Sequence, residues 1–183
     1  MSRKVAVIVG SLRKGSFTRA IAQAIVEQGA SRLDARFVEI GDLPLYNPDL
    51  DTDSPPAAWA RFRAELADVE AVLFATPEYN RSFPAAIKNA LDVGSRPYGK
   101  SVWNNKPAAI VSVSPGAIGG FGANHHLRQP MVFLNMPVMQ QPEAYVGKAN
   151  EVLDEHGKVN NADTLAFLKT FADAFADWIE RTA

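Results

Sequence analysis

Two rhythms alternate along the chain. The run "KVAVIVG" (4–10) is short, continuous and β-branched, as suits a strand buried on both faces. Directly after it, Phe17, Ala20, Ile21, Ala24 and Ile25 recur at the spacing of one helical face, and Gly29 offers a stop. The pattern then repeats. "ARFVEI" (35–40) reads as a strand, "GDLPLYNPDLDTDSPP" (41–56) as a long turn-rich loop, and "AAWARFRAELADV" (57–69) as a helix. "EAVLFATP" (70–77) is a strand stopped by proline. "PAAIKNALDVG" (84–94) is a helix with Pro84 suited to its first turn, and "SRPYGKSVWNN" (95–105) is a loop. "KPAAIVSVS" (106–114) reads as the fourth strand, and the glycine-rich "PGAIGGFG" (115–122) as a turn. "ANHHLRQPMVFLNM" (123–136) reads as a helix distorted by Pro130. A short fifth strand lies within "PVMQQPEAYV" (137–146). The chain closes as a helix over 162–182, with Leu165, Leu168, Ala172, Phe175 and Ile179 on one stripe.

Five strands alternating with helices predict a parallel sheet covered on both faces, an α/β three-layer sandwich. Ligands of such sheets bind beyond the carboxyl ends of the strands, beside the switch in strand order. Three loops at those ends stand out: 10–17, 77–83 and 114–122.

Composition narrows the class. A chain of 183 residues, without repeat or linker, is expected to form a single domain over 1–183. Nineteen basic against twenty acidic residues give a formal charge of -1, so no general field draws it to nucleic acid or membrane. Cysteine is absent, which excludes disulfides and thiol chemistry. No signal peptide and no apolar stretch of about 20 residues is visible, and the cytoplasm is the expected compartment.

"GSLRKGSFTR" (10–19) leaves a buried strand and enters a helix at once. A helix N-terminus presents unpaired amides and a partial positive charge, and so holds an anion well. Gly10 and Gly15 allow close approach, Ser11, Ser16 and Thr18 add hydroxyls, and Arg13 can grip phosphate oxygens. The lysine of a nucleoside-triphosphatase loop is missing, and so is the G-x-G-x-x-G of a dinucleotide site. The loop is scaled to one terminal phosphate; its bland alternative is a solvated turn with a serine cap. "TPEYNRSFPAAIKNALD" (76–92) offers Pro77, Glu78, Tyr79 and Asn80 for the edge of a flat heteroaromatic ring, with Tyr79 and Phe83 as walls. Otherwise it is a plain strand–helix turn with a solvated glutamate. "SPGAIGG" (114–120) can turn main-chain amides toward a ligand, although glycine-rich turns are common.

Together these three stretches resemble the NADPH-dependent FMN reductase family, the flavodoxin-like group containing chromate and quinone reductases and related azoreductases. The likeness runs from the first strand to about residue 145. It implies a flavodoxin-like fold, bound FMN, NADPH or NADH as co-substrate, and small acceptors such as quinones, chromate or azo compounds. By the same resemblance the phosphate contacts fall on Ser11, Arg13, Ser16, Phe17 and Thr18, where the family often carries asparagine at the last position. Ring contacts fall on Pro77, Glu78, Tyr79 and Asn80, and third-loop contacts on Val113, Ser114 and Gly116. It also implies a homo-oligomer, dimer or tetramer, with the 95–105 loop and the His125–Arg128 region as candidate contacts. No side chain is assigned a catalytic role, because the cofactor carries the chemistry.

Other candidates are weaker. His125 and His126 are adjacent, do not share a helix face, and read as a surface or interface pair, not as a metal site. Asp49, Asp51 and Asp53 mimic the start of a calcium loop, but Ser54 and Ala60 stand where glycine and glutamate are needed. Tyr98 and Trp103 are expected either at a substrate pocket, at a subunit contact or simply exposed. The aromatics of the final helix are expected in the core. The competing function is a flavodoxin-type electron carrier, which the near-neutral charge disfavours; a regulatory protein that merely retains the fold is a third reading.

Overall fold

The computed structural model describes residues 2–182. Its five strands are β1 (Arg3–Val9), β2 (Leu33–Phe37), β3 (Ala71–Pro77), β4 (Ala108–Val113) and β5 (Ala144–Val146). They form one sheet in the order β2-β1-β3-β4-β5, every pairing parallel. The helices are α1 (Phe17–Gly29), α2 (Ala57–Ala67), α3 (Ala85–Gly94), α4 (Phe121–Phe133) and α5 (Ala162–Thr182).

Strand alternation sorts the core into two layers. Val5, Val7 and Val9 turn toward α1 and α5, where Ile21, Ile25, Phe171 and Phe175 bury against them. Ala6 and Ile8 turn the other way, onto Trp59 and Phe62 of α2, Ile87 and Leu91 of α3, and Leu127 and Met131 of α4. The expected α/β three-layer sandwich is thus present, and the strand order is that of flavodoxin-like proteins. The chain leaves β1 for β2 on one side and returns to β3 on the other. The loops after β1 and β3 therefore flank the switch point.

Several boundaries differ from the sequence reading. β2 lies at 33–37, not 35–40, because its register is set by β1: Arg3 faces Leu33 and Val7 faces Phe37. Val38 and Ile40, which drew the strand C-terminally in the pattern, lie beyond its end and bury in the α2/α3 layer, Val38 N–H still donating to Val7 O at 3.0 Å. α4 begins at Phe121, after Gly120 at φ 76, and ends before Asn135 at φ 55; Pro130 lies inside it. Leu165 stands at the margin of the buried stripe of α5, and Phe171 and Ala176 complete that stripe.

Trp103 is a clear correction. It is fully buried, donates its indole N–H to Leu91 O at 2.9 Å and packs on Phe62 and Phe74. It is core, neither pocket nor subunit contact; Tyr98, by contrast, is 91% exposed. The flanking loop brings it inward because Gly94 leaves space: a Cβ there would lie 2.6 Å from the indole. The long 41–56 loop is pinned to α3 by the Asn89 amide, which accepts from Tyr46 N–H and donates to Leu43 O and Pro44 O. Among the described residues no helix is long and apolar enough to cross a membrane.

Candidate functional site

The loop after β1 opens with Gly10, whose amide still donates to Ala75 O at 2.8 Å. Glycine is required there by space: a Cβ would sit 2.6 Å from Ile87 Cδ1 and 3.2 Å from Pro77 Cδ. From Ser11 to Thr18 no amide donates to an acceptor among the described residues. Gly15 turns the chain at φ 65, a conformation glycine adopts without strain. Ser16 then caps α1, accepting from Arg19 N–H at 3.1 Å. Ser16 and Thr18 are buried, and the Thr18 hydroxyl takes no protein partner. The result is a run of outward-facing amides at the positive end of a 13-residue helix, an arrangement suited to an anion. Arg13 lies beside it, its guanidinium over the Phe17 ring at 4.6 Å, with no carboxylate within ion-pair distance among the described residues.

The loop after β3 makes a tight turn. Tyr79 and Ser82 exchange two backbone hydrogen bonds, of 2.8 and 3.0 Å, and the central residues Asn80 and Arg81 both have positive φ. This is the geometry of a type I′ turn, easy for asparagine and less so for arginine. Glu78 is not the solvated acid of the bland reading. Its carboxylate accepts from Ala123 N–H at 3.0 Å, in the first turn of α4, and pairs with Arg81 at 3.1 Å. The side chain is only 14% exposed. The acid thereby meets both the helix dipole and an orphan amide. Ser82 also bonds His126 Nδ1 at 2.8 Å, and Phe83 packs edge-on against that imidazole. The loop is fixed to α4 at two points, leaving the amides of Glu78 and Asn80 without protein acceptors. Sequence reasoning missed this role for Glu78, because its partner lies 45 positions away.

The loop after β4 turns on Gly119 and Gly120, both at positive φ. Gly116 N–H is taken by Ser114 Oγ at 3.0 Å and Gly119 N–H by Gly116 O at 3.3 Å, so neither amide is turned outward. Gly119 serves close packing on the end of β5, and Gly120 close approach to Ser112. A Cβ at Gly119 would meet Tyr145 C at 2.7 Å. Among the described residues the amides of Ala117, Ile118 and Gly120, and those of Phe121 and Gly122 in the first turn of α4, find no protein acceptor. Val113 is buried in the sheet, and Ser114 N–H pairs with Val146 O. Beneath the loop, the fully buried Asn124 joins α4 to Ser112 Oγ and Ala144 O.

The three loops thus come together at the carboxyl end of the sheet. Each carries exposed apolar surface: Leu12 on the first, Tyr79 on the second, Ile118 on the third, with Phe121 following at the start of α4. His125 and His126 diverge as adjacent helical residues must. His125 contacts Phe121 and Tyr145 Oη, whereas His126 contacts the second loop. Burial first and then the Glu143 carboxylate push the Tyr145 phenol up to about 12, with Arg128 opposing. Among the described residues no group of three His, Asp or Glu side chains is placed to hold a metal.

A helix terminus with free amides and apolar-rimmed loops at the switch point of a 2-1-3-4-5 sheet are the arrangement of a flavodoxin-like fold, suited to a mononucleotide. The sequence profile of the NADPH-dependent FMN reductases matches residues 3–151. The chain belongs to that family, and is an FMN oxidoreductase that draws electrons from a nicotinamide nucleotide. A quinone reductase of Pseudomonas putida is 59% identical over 176 residues, covering 96% of this chain and 94% of the relative. A 2-hydroxy-1,4-benzoquinone reductase of a Burkholderia species is 45% identical, covering 98% and 97%. Among solved structures, FerB, a flavoenzyme NAD(P)H:(acceptor) oxidoreductase from Paracoccus denitrificans, superposes with a TM-score of 0.92 at 42% identity, covering 98% of each chain.

Proposed function

We propose that this chain passes electrons from NADPH or NADH, through FMN held by the three loops, to small quinone-type acceptors. The observation that carries the assignment of the site is the run of amides from Ser11 to Thr18 without a protein acceptor, at the head of α1. One phosphate satisfies several of them, together with Ser11, Ser16 and Thr18 hydroxyls and the Arg13 guanidinium. Phe17 contributes its amide as the first helical residue. Pro77, Glu78, Tyr79 and Asn80 line the ring edge, chiefly through backbone groups, since the Glu78 carboxylate is engaged with α4. Val113, Ser114 and Gly116 bound the third side, as backbone and packing surface more than as donors. When bound, the flavin supplies hydride transfer between nicotinamide and acceptor. The protein holds the rings, excludes water with Leu12, Tyr79, Ile118 and Phe121, and needs no side-chain nucleophile.

Quinones rank first among acceptors because both named reductases above act on that class by their descriptions; chromate and azo compounds come after them. A homo-oligomer is supported by Val132 and Phe133, 82% and 86% exposed at the end of α4, where a partner copy can cover them. The test is direct. Protein loaded with FMN and mixed anaerobically with NADPH should bleach, then recolour on adding p-benzoquinone. A colourless protein that takes up no FMN defeats the site assignment. Flavin that is reduced only by a protein partner makes the chain an electron carrier.

A further inference from the structure

A groove of about 840 Å³ runs along the outer face of α1, continuous with the first loop through Arg13–Phe17 and extending away from the other two. Its far wall is the 153–159 hairpin. Leu153 and Val159 pair there, Gly157 turns the chain at φ 76, and the Asp154 carboxylate accepts the amides of His156 and Lys158 at 2.9 and 2.8 Å. The floor is apolar, from Ala20, Ala24, Leu153 and Val159. The groove opens beside the anion-binding loop, because Arg13 and Ser16 line both.

Its lining carries four lysine or arginine side chains against three acids, and the imbalance is larger in use than in count. Arg13, Lys14, Arg19 and Lys158 all line it, and among the described residues none is within 4.0 Å of a carboxylate. Its acids are engaged elsewhere. Asp154 is turned into its own hairpin, Glu155 lies 3.6 Å from His156, and Glu27 accepts from Gln23. Four unpaired cations along an apolar trough match a ligand with a flat heterocycle and more than one phosphate. The Arg13 guanidinium lies 4.6 Å over the Phe17 ring, and a planar cation of this kind also stacks on a ligand's ring.

We propose that this groove takes the adenosine half of NADPH, with the 2′-phosphate held by Lys14 and Lys158. This rests on the reading given above. A nicotinamide brought to the ring side of the first loop leaves the rest of the dinucleotide to be held. The groove is the adjoining surface with the matching charge. Arg13 then stands between two phosphates, that of FMN on one side and the adenosine phosphates on the other.

Lys158→Ala and Lys14→Ala test it in the FMN-loaded protein. Lys158 supports the hairpin through its backbone amide, which alanine keeps. An exposed phosphate contact should be worth about threefold to tenfold in affinity. KM for NADPH should therefore rise by about that factor in each variant and further in the double variant, with kcat unchanged and KM for NADH moving less than about twofold. Calorimetry with adenosine 2′,5′-bisphosphate should give the same weakening, with adenosine 5′-monophosphate little affected. Equal shifts for NADPH and NADH, or unchanged bisphosphate binding, overturn the proposal. So does displacement of the bisphosphate by free FMN but not by NADPH, which makes the groove a second flavin site. If the protein oxidises neither nucleotide, the functional reading fails; calorimetry still decides whether the groove binds the bisphosphate.

Discussion

Removing the Glu78 carboxylate should loosen the second loop from α4, and the structure sets the size of the effect. Its Oε2 accepts from Ala123 N–H at 3.0 Å and its Oε1 from Arg81 at 3.1 Å, in a side chain 14% exposed. A hydrogen bond to an ionised acceptor contributes about 1.5–3 kcal/mol, and the anion at a helix N-terminus about 0.3–1 kcal/mol, two overlapping descriptions of one contact. Arg81 is 79% exposed, so its pair adds only about 0–1 kcal/mol. Glu78→Ala should cost about 2 kcal/mol, which for a chain of this size lowers Tm by roughly 4–8 °C. Glu78→Gln keeps an acceptor oxygen and loses the charge, and should cost about 0.5–1 kcal/mol. Arg81→Ala should cost about 0–1 kcal/mol. Calorimetric melts of the three apo-variants read this order. The loop also carries ring contacts, so Glu78→Ala should weaken FMN and riboflavin alike in fluorescence titration. Equal Tm for Glu78→Ala and Arg81→Ala would refute the reasoning, since the carboxylate would then be doing no more than a surface acid does.

Arg13→Ala, in contrast, should weaken FMN about tenfold to a hundredfold while leaving riboflavin unchanged, because the phosphate is the part of the flavin nucleotide that the arginine meets; an equal loss for riboflavin overturns that role. Trp103→Ala should cost about 3–5 kcal/mol in a chemical denaturation series, as expected for a fully buried indole, with the KM for a quinone unmoved in the folded fraction. A changed KM with unchanged stability would return Trp103 to the acceptor pocket. Tyr145, raised from 10 to about 12, stays neutral in the folded protein where the unfolded chain has ionised. Its contribution to stability is therefore full below about pH 10 and lost as pH rises toward about 12. Ultraviolet titration should show this tyrosine ionising about two pH units late, and its removal in Tyr145→Phe should abolish that late step.

Much of this molecule was legible in its sequence because the signals are local. A continuous β-branched run is dry on both sides, a 3.6-residue period makes one helical face, and serine and glycine at a strand–helix junction leave amides free. Those facts carry the alternation of strands and helices and the three-layer class, and they single out the first loop from Ser11 to Thr18 as a candidate anion site. What the sequence left open depends on distant partners. The bounds of β2 follow from register with β1, and a one-residue slip would turn Phe37 to the other face. Trp103 looks like any loop aromatic until Gly94, nine positions earlier, leaves room for its ring. The third loop reads as a source of main-chain amides, and only the end of β5 reveals that Gly119 is also required by space. Glu78 reads as a loop acid until α4 is folded against it. Tertiary structure decides such cases because a side chain's role is set by what its last few atoms touch, and those contacts join residues that no local pattern relates.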